Sequence, residues 1–356
     1  MLGVAMLMVQ VLLGGITRLT GSGLSIAEWK PIVNAIPPMN PGEWNAAFEK
    51  YKGIAQYHYV NSDFSLSDFK GIYFWEWLHR EWALFIAVVF LVPFVFFWRR
   101  GYLKRWMLQP FIILFLLGAL QGLVGWIMVK SGLNDTDVRV SHIRLAIHFM
   151  AAMVLVVYTF WFALRVRVPV EDRVRNSRLN RSTVWLVALL SLQLIWGAFM
   201  AGLRAAPAAP TWPSINGEWL PSSITQYGRT AYSGLNILTD NPLIVHFIHR
   251  TLGYLLLLLL IFWAVRAARD ARGTRSGTAL ARWWSWPVVL VTGQVVLGVV
   301  TVLFSPHAKH NGFGPWELIA QAHQLVAMAL LLALVAVVFA TSDRMTSPGV
   351  QHSPRS

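Results

Sequence analysis

Eight apolar runs, seven of them more than twenty residues long and the first shorter, limit this 356-residue chain more than any other feature. They fall near residues 2–17, 73–98, 107–129, 141–164, 182–203, 241–265, 284–304 and 316–340. At roughly 1.5 Å of rise per residue, about 20 helical residues match a hydrocarbon layer ~30 Å thick. No water reaches the backbone there, and a helix satisfies its own N–H and C=O groups. Hydrophobic residues make up 56% of the chain and charged residues 13%. The expected fold class is all-α, a polytopic membrane protein of eight transmembrane helices. The first run starts at Met1 with neither a basic leader nor a small-residue cleavage site, and reads as a short or tilted span rather than a signal peptide.

Loop charge predicts the orientation. Residues 99–105 hold Arg99, Arg100, Lys104 and Arg105; residues 165–181 hold six arginines and residues 266–282 hold five. The alternate connections are nearly balanced, the long one at 18–72 carrying five basic and five acidic residues. By the positive-inside rule the arginine loops and both termini are cytoplasmic. The formal charge of +14 then follows from topology, and no nucleic-acid partner is needed to explain it. The absence of cysteine excludes disulfides, thiolate-ligated clusters, covalent c-type heme attachment and cysteine nucleophiles.

The odd-numbered spans share a phrase, Gln followed four residues later by Gly: Gln10/Gly14, Gln121/Gly125, Gln193/Gly197 and Gln294/Gly298. Such a pair lies on one helix face, the Gly permitting close approach and the Gln presenting an amide that needs a partner in lipid. The even-numbered spans carry His79, His148, His249 and His323 at similar depth. Matching Gln10 to Gln193, His79 to His249, Gln121 to Gln294 and His148 to His323 gives offsets of 183, 170, 173 and 175. The expectation is two pseudo-symmetric four-helix bundles: residues 1–170, an arginine-rich cytoplasmic linker at 171–181, and residues 182–341, followed by a disordered tail at 342–356.

Four imidazoles at matched depth near the non-cytoplasmic face suggest two axial pairs, His79 with His148 and His249 with His323. Heme suits them as a large apolar plate that imidazoles ligate from opposite faces, and a four-helix module supplies facing helices. Tight zinc or copper spacing is missing. Arg80 and Arg250 follow His79 and His249 directly and are candidates for pairing with heme propionates, snorkelling being the alternative. "EWLHR" and "HFIHR" are equivalent, yet Glu76 precedes the first histidine by three residues where His246 precedes the second. Glu76 therefore marks the first half as the reactive one, unless it is a structural group paired with Arg80 or Arg144. His142 is expected to face water at a helix mouth and His246 to line the second pocket. His58, His307 and His310 belong to outer loops, and His352 to the tail. The 18–72 loop holds a Gly/Ser turn, a proline-rich stretch and an amphipathic piece over residues 43–60; residues 205–240 form its counterpart.

The stretches "GGITRLTGSGLSIAEWKP", "EWLHR", "LGALQGLVGWIMVKSGL", "RLAIHF", "HFIHR" and "QAHQL", taken in order, resemble the heme A synthase family over about residues 9 to 340, in its cysteine-free alphaproteobacterial and mitochondrial branch. The resemblance implies oxidation of a ring methyl of heme O to a formyl, giving heme A for cytochrome c oxidase. It implies His79 and His148, with Arg80, around the substrate heme. It further implies His249 and His323, with Arg250, around a heme b cofactor, and Glu76 as the catalytic acidic residue. A bacterial inner membrane is the implied location. Heme O, heme A and membrane lipids are the implied partners, with heme O synthase and oxidase assembly components as candidate protein neighbours. "GALQG" has the small-xxx-small spacing of helix packing, within one chain or in a homo-oligomer. Without the resemblance, a di-heme electron carrier comes first, and a heme transporter or chaperone is a further alternative.

Overall fold

The structure is a computed structural model and describes residues 1–28, 36–275, 277–309 and 312–342. Its helices in chain order are α1 (Leu2–Leu19), α2 (Pro41–Lys52), α3 (Ala55–Val60), α4 (Leu66–Arg99), α5 (Arg105–Lys130), α6 (His142–Arg167), α7 (Ser177–Leu203), α8 (Asn236–Thr239), α9 (Pro242–Arg272), α10 (Ala279–Trp283), α11 (Trp286–Leu303) and α12 (Pro315–Thr341). Eight of the described segments are long and apolar enough to cross a membrane: α1, α4, α5, α6, α7, α9, α10 with α11, and α12. The chain is an all-α, multi-pass membrane protein.

Large apolar side chains such as Phe85, Val92, Leu116 and Phe262 are exposed on the outer helices, as expected where hydrocarbon replaces water. Lipid tails are as apolar as leucine, so van der Waals fit and polar contacts decide which helices associate. α12 is the most enclosed helix, burying Met328, Leu330, Leu334 and Val337 completely. It packs on α1, α6, α7 and α11. The neighbour pattern repeats along the chain: α1 packs on α4 as α7 packs on α9, and α5 on α6 as α11 on α12. α4 meets α5 through Phe94 against Phe111 and Phe115, near the loop that joins them.

α4 starts at Leu66, not at residue 73 as hydropathy suggests. A capping box between Ser65 and Asp68 fixes that start. The added turns leave the apolar layer and carry Phe69, Ile72 and Tyr73 into a second core with Phe48, Tyr51 and Ile54 of the 18–72 loop. α2 opens on Asn40, whose side chain accepts from Glu43 N, and Pro41 stands at its first position. Gln56 Nε2 donates to Gly21 O (3.1 Å) and Ala55 N to Asn134 O (3.2 Å). These bonds tie the cap to the ends of α1 and α5. The 205–240 connection contains an element that composition did not suggest, a small antiparallel hairpin of β1 (Gln226–Tyr227) and β2 (Thr230–Ala231). Of the predicted tail only Ser342 is among the described residues.

Candidate functional site

Each Gln/Gly phrase meets one histidine of a neighbouring helix. A Cβ built on Gly14 would stand 3.0 Å from Cε1 of His79; for Gly125 and His148, Gly197 and His249, and Gly298 and His323 the distances are 2.8, 3.1 and 3.0 Å. The rings therefore lie against helix backbone, and a side chain at any of these glycines would press on an imidazole. One turn away, the Gln amide nitrogen reaches the same ring: Gln10 to His79 Nδ1 at 3.2 Å, Gln121 to His148 Nδ1 at 3.2 Å, Gln193 to His249 Nε2 at 3.5 Å and Gln294 to His323 Nε2 at 3.3 Å. Gln10 and Gln121 also donate to the backbone carbonyls of His79 and His148, both at 3.1 Å. Sequence reading found the phrase and the histidines separately. Their contact, repeated in four places, is a product of helix packing.

The His249 and His323 ring centres are 6.3 Å apart at 79°. Imidazole nitrogens about 2 Å from a shared metal would put two ring centres about 6 Å apart. Nδ1 of each ring is buried without a hydrogen-bond partner, so each has an uncommitted donor or acceptor. The donor set therefore fits an iron porphyrin held by two imidazoles. His79 and His148 line the same cavity.

That cavity has a volume of about 1110 Å³ and a mostly apolar lining, larger than an ordinary ligand cleft of ~300–1,000 Å³. Two chambers are the expectation from sequence, whereas one connected cavity touches both histidine pairs. The physical reason is composition: Gly14, Gly15, Gly197, Ala198, Ala201 and Gly202 line it from α1 and α7, and small residues provide no partition.

Glu76 is 3% exposed. Its Oε2 accepts from Ser25 Oγ (2.7 Å) and Ile26 N (2.9 Å), and its Oε1 pairs with Arg80 Nη2. Arg80 also donates to Ile26 O at 3.3 Å. Arg144, the other candidate partner, donates instead to Ile127 O. In the equivalent place Arg250 donates from Nε to His246 Nε2 (3.2 Å), from Nη1 to Ser214 O (3.1 Å), and from Nη2 to Ala209 O and Thr211 O (both 2.8 Å). Both arginines thus clamp the outer loop of their half with a partner one helical turn before them. Sequence reading did not suggest these loop contacts, and both arginines also line the cavity.

His246 is fully buried and lines the cavity, as expected. His142 departs from expectation: it lies 3.3 Å from Asp240 Oδ1, packs edge-on against Phe199, and is only 15% exposed. α7 and the α8–α9 connection cover the helix mouth that would have been wet. His58 and His307 are exposed and do not line the cavity; His310 and His352 lie outside the described residues. Arg18, Arg139 and Arg204 line the cavity and were missed, since in sequence they look like ordinary interfacial charges. Burial, with the nearby Arg139, holds the Arg204 guanidinium down to about 10, although Glu317 opposes the shift.

A family model described as cytochrome oxidase assembly protein, COX15-CtaA, matches residues 1–335. Among its relatives, a protein of Rhodospirillum centenum named heme A synthase is 40% identical over 337 residues, covering 93% of this chain and 84% of its own length. Proteins of the same name from Rhodopseudomonas palustris and Bradyrhizobium diazoefficiens are 38% and 40% identical, covering 99% and 93% of this chain and 90% and 87% of their own.

Proposed function

The chain belongs to the COX15-CtaA family of cytochrome oxidase assembly proteins, and from that premise we propose that its four cradled histidines hold two porphyrins: heme O, the substrate, between His79 and His148, and a resident heme b between His249 and His323. The activity is that of the heme A synthases, an enzymatic conversion of heme O to heme A. The 6.3 Å spacing of His249 and His323 carries the assignment of the ligands, and the matching cradles of Gly14 and Gly125 extend it to the other pair. The repeated helix neighbours support reading residues 1–170 and 182–341 as two related modules.

Turning a ring methyl into a formyl adds one oxygen and removes two hydrogens, so protons and electrons must leave the first site. A bound heme supplies an iron that takes up and passes on single electrons. The protein's share is placement. Gly14 and Gly125 let the imidazoles of His79 and His148 sit against α1 and α5, and the amide groups of Gln10 and Gln121, in contact with the two rings, fix their planes. Glu76 is the carboxylate available for proton traffic, standing where the second half has His246. The three groups on its oxygens also favour a second reading, in which Glu76 is a latch holding the Ser25–Ile26 rim. The arginine-rich loops set the other end of the bundle toward the cytoplasm by the positive-inside rule, with the clamped loops and the histidine layer toward the opposite face of a bacterial inner membrane.

The direct test supplies heme O to the purified full chain with an electron acceptor and measures the mass of the extracted porphyrin. A mass change from methyl to formyl supports the reading. An unchanged mass with reversible heme reduction would support an electron carrier instead.

A further inference from the structure

The cavity wall carries six lysines and arginines against two glutamates, Glu76 and Glu81. Arg80 and Arg250 serve the loop clamps, and Lys130 Nζ lies 5.2 Å from the centre of the Trp126 ring. Arg18, Arg139 and Arg204 line the cavity as well. Arg18 crosses from the last turn of α1 to the carbonyl of Ala201 on α7, donating from Nη1 at 3.0 Å. Its Nε is buried with no hydrogen-bond partner. Arg18 and Ala201 stand at the same offset that relates Gln10 to Gln193, so Arg18 reaches its own counterpart and lies between the two halves.

Arg204 is within electrostatic reach of Arg18. It ends α7 in the left-handed region, with φ 50° and ψ 44°. The position at the same offset after α1 is Gly21, with φ 71°. Glycine adopts this conformation freely and arginine seldom does. The second half therefore places a guanidinium where backbone geometry favours glycine, and strain of this kind clusters at ligand sites. Glu317, the carboxylate in reach of both arginines, is buried and accepts from Lys309 N (2.7 Å) and Gly314 N (2.9 Å). It caps α12 and does not line the cavity. Clustered cations beside an apolar cavity call for an anion, and paired guanidinium donors suit carboxylates.

We infer that Arg18 and Arg204 form a carboxylate site between the two halves, which takes a propionate group of a bound porphyrin. The inference rests on the porphyrin reading above. It gives the clamping arginines to the loops and the propionates to a different pair. Arg18 acts through its donor Nε, while Arg204 adds charge at the rim.

The test is a spectroscopic titration of the purified full chain with iron protoporphyrin IX and, separately, with its dimethyl ester, which has the same plate without the charges. The unaltered chain should bind the diacid at least about tenfold more tightly than the ester, the scale of one hydrogen bond to a charged group. Arg204→Gly, which relieves the backbone, and Arg18→Gln should each shrink that ratio by about tenfold and leave ester affinity unchanged. A ratio unaltered in Arg204→Gly overturns the inference, whatever happens to the folding of Arg18→Gln. Loss of affinity for diacid and ester alike would also overturn it, since the residues would then act on the fold. An unaltered chain that binds neither porphyrin would sink the underlying reading instead.

Discussion

Gly125 and His148 approach so closely that a Cβ on the glycine would lie 2.8 Å from the ring. This is the tightest of the four histidine cradles. Gly125→Ala should displace the imidazole, with an overpacking penalty of about 1–3 kcal/mol. The expected outcome is weakened porphyrin binding in the first half with the second-half spectrum intact, read by absorbance of the reduced protein. Normal binding in this variant would remove the cradle from the account.

His249→Ala and His323→Ala should each abolish the resident b-type spectrum, because each removes one of two rings 6.3 Å apart. His79→Ala should leave that spectrum and stop conversion of heme O. The measurement is a reduced-minus-oxidised difference spectrum, and an unchanged spectrum in both second-half variants would defeat the ligand assignment.

Glu76→Gln keeps the shape of the side chain but alters its three contacts with Ser25, Ile26 and Arg80. If Glu76 handles protons, turnover should fall at least about a hundredfold, the low end of general acid–base contributions, with heme content preserved. Heme loss accompanied by proteolysis near Ser25 would point to the latch.

Arg250 makes three hydrogen bonds to loop carbonyls between Ala209 and Ser214 and one to His246. Arg250→Lys cannot reproduce that planar fork. Faster protease cleavage within residues 205–216 and a lowered thermal midpoint are expected, with destabilisation of about 2 kcal/mol after allowance for partial exposure.

Tyr51 is completely buried in the outer cap, where its hydroxyl accepts from Asn61 Nδ2 and donates to Gln56 Oε1. Burial pushes its phenol up to about 12 from an ordinary 10.0. The folded cap holds the proton more tightly than the unfolded chain, so this contribution is full below pH 10 and disappears as pH rises toward 12. Hydrogen exchange of residues 41–60 should therefore loosen over that window, and Tyr51→Phe should flatten the pH dependence.

Pattern along the chain gave the eight spans, the layer of His79, His148, His249 and His323, and the Gln/Gly phrases, because each follows from helical periodicity and bilayer thickness. Those constraints are local: an apolar run declares itself without reference to its neighbours. Packing decided that Gly14 meets His79 and that Arg80 and Arg250 clamp loops. It also left one cavity where two were expected. Such choices depend on which helices lie side by side and how closely their backbones approach, so no single segment encodes them. Arg18 and Arg204 make the same point: one looks like an interfacial charge and the other like a loop residue until α1 and α7 come together.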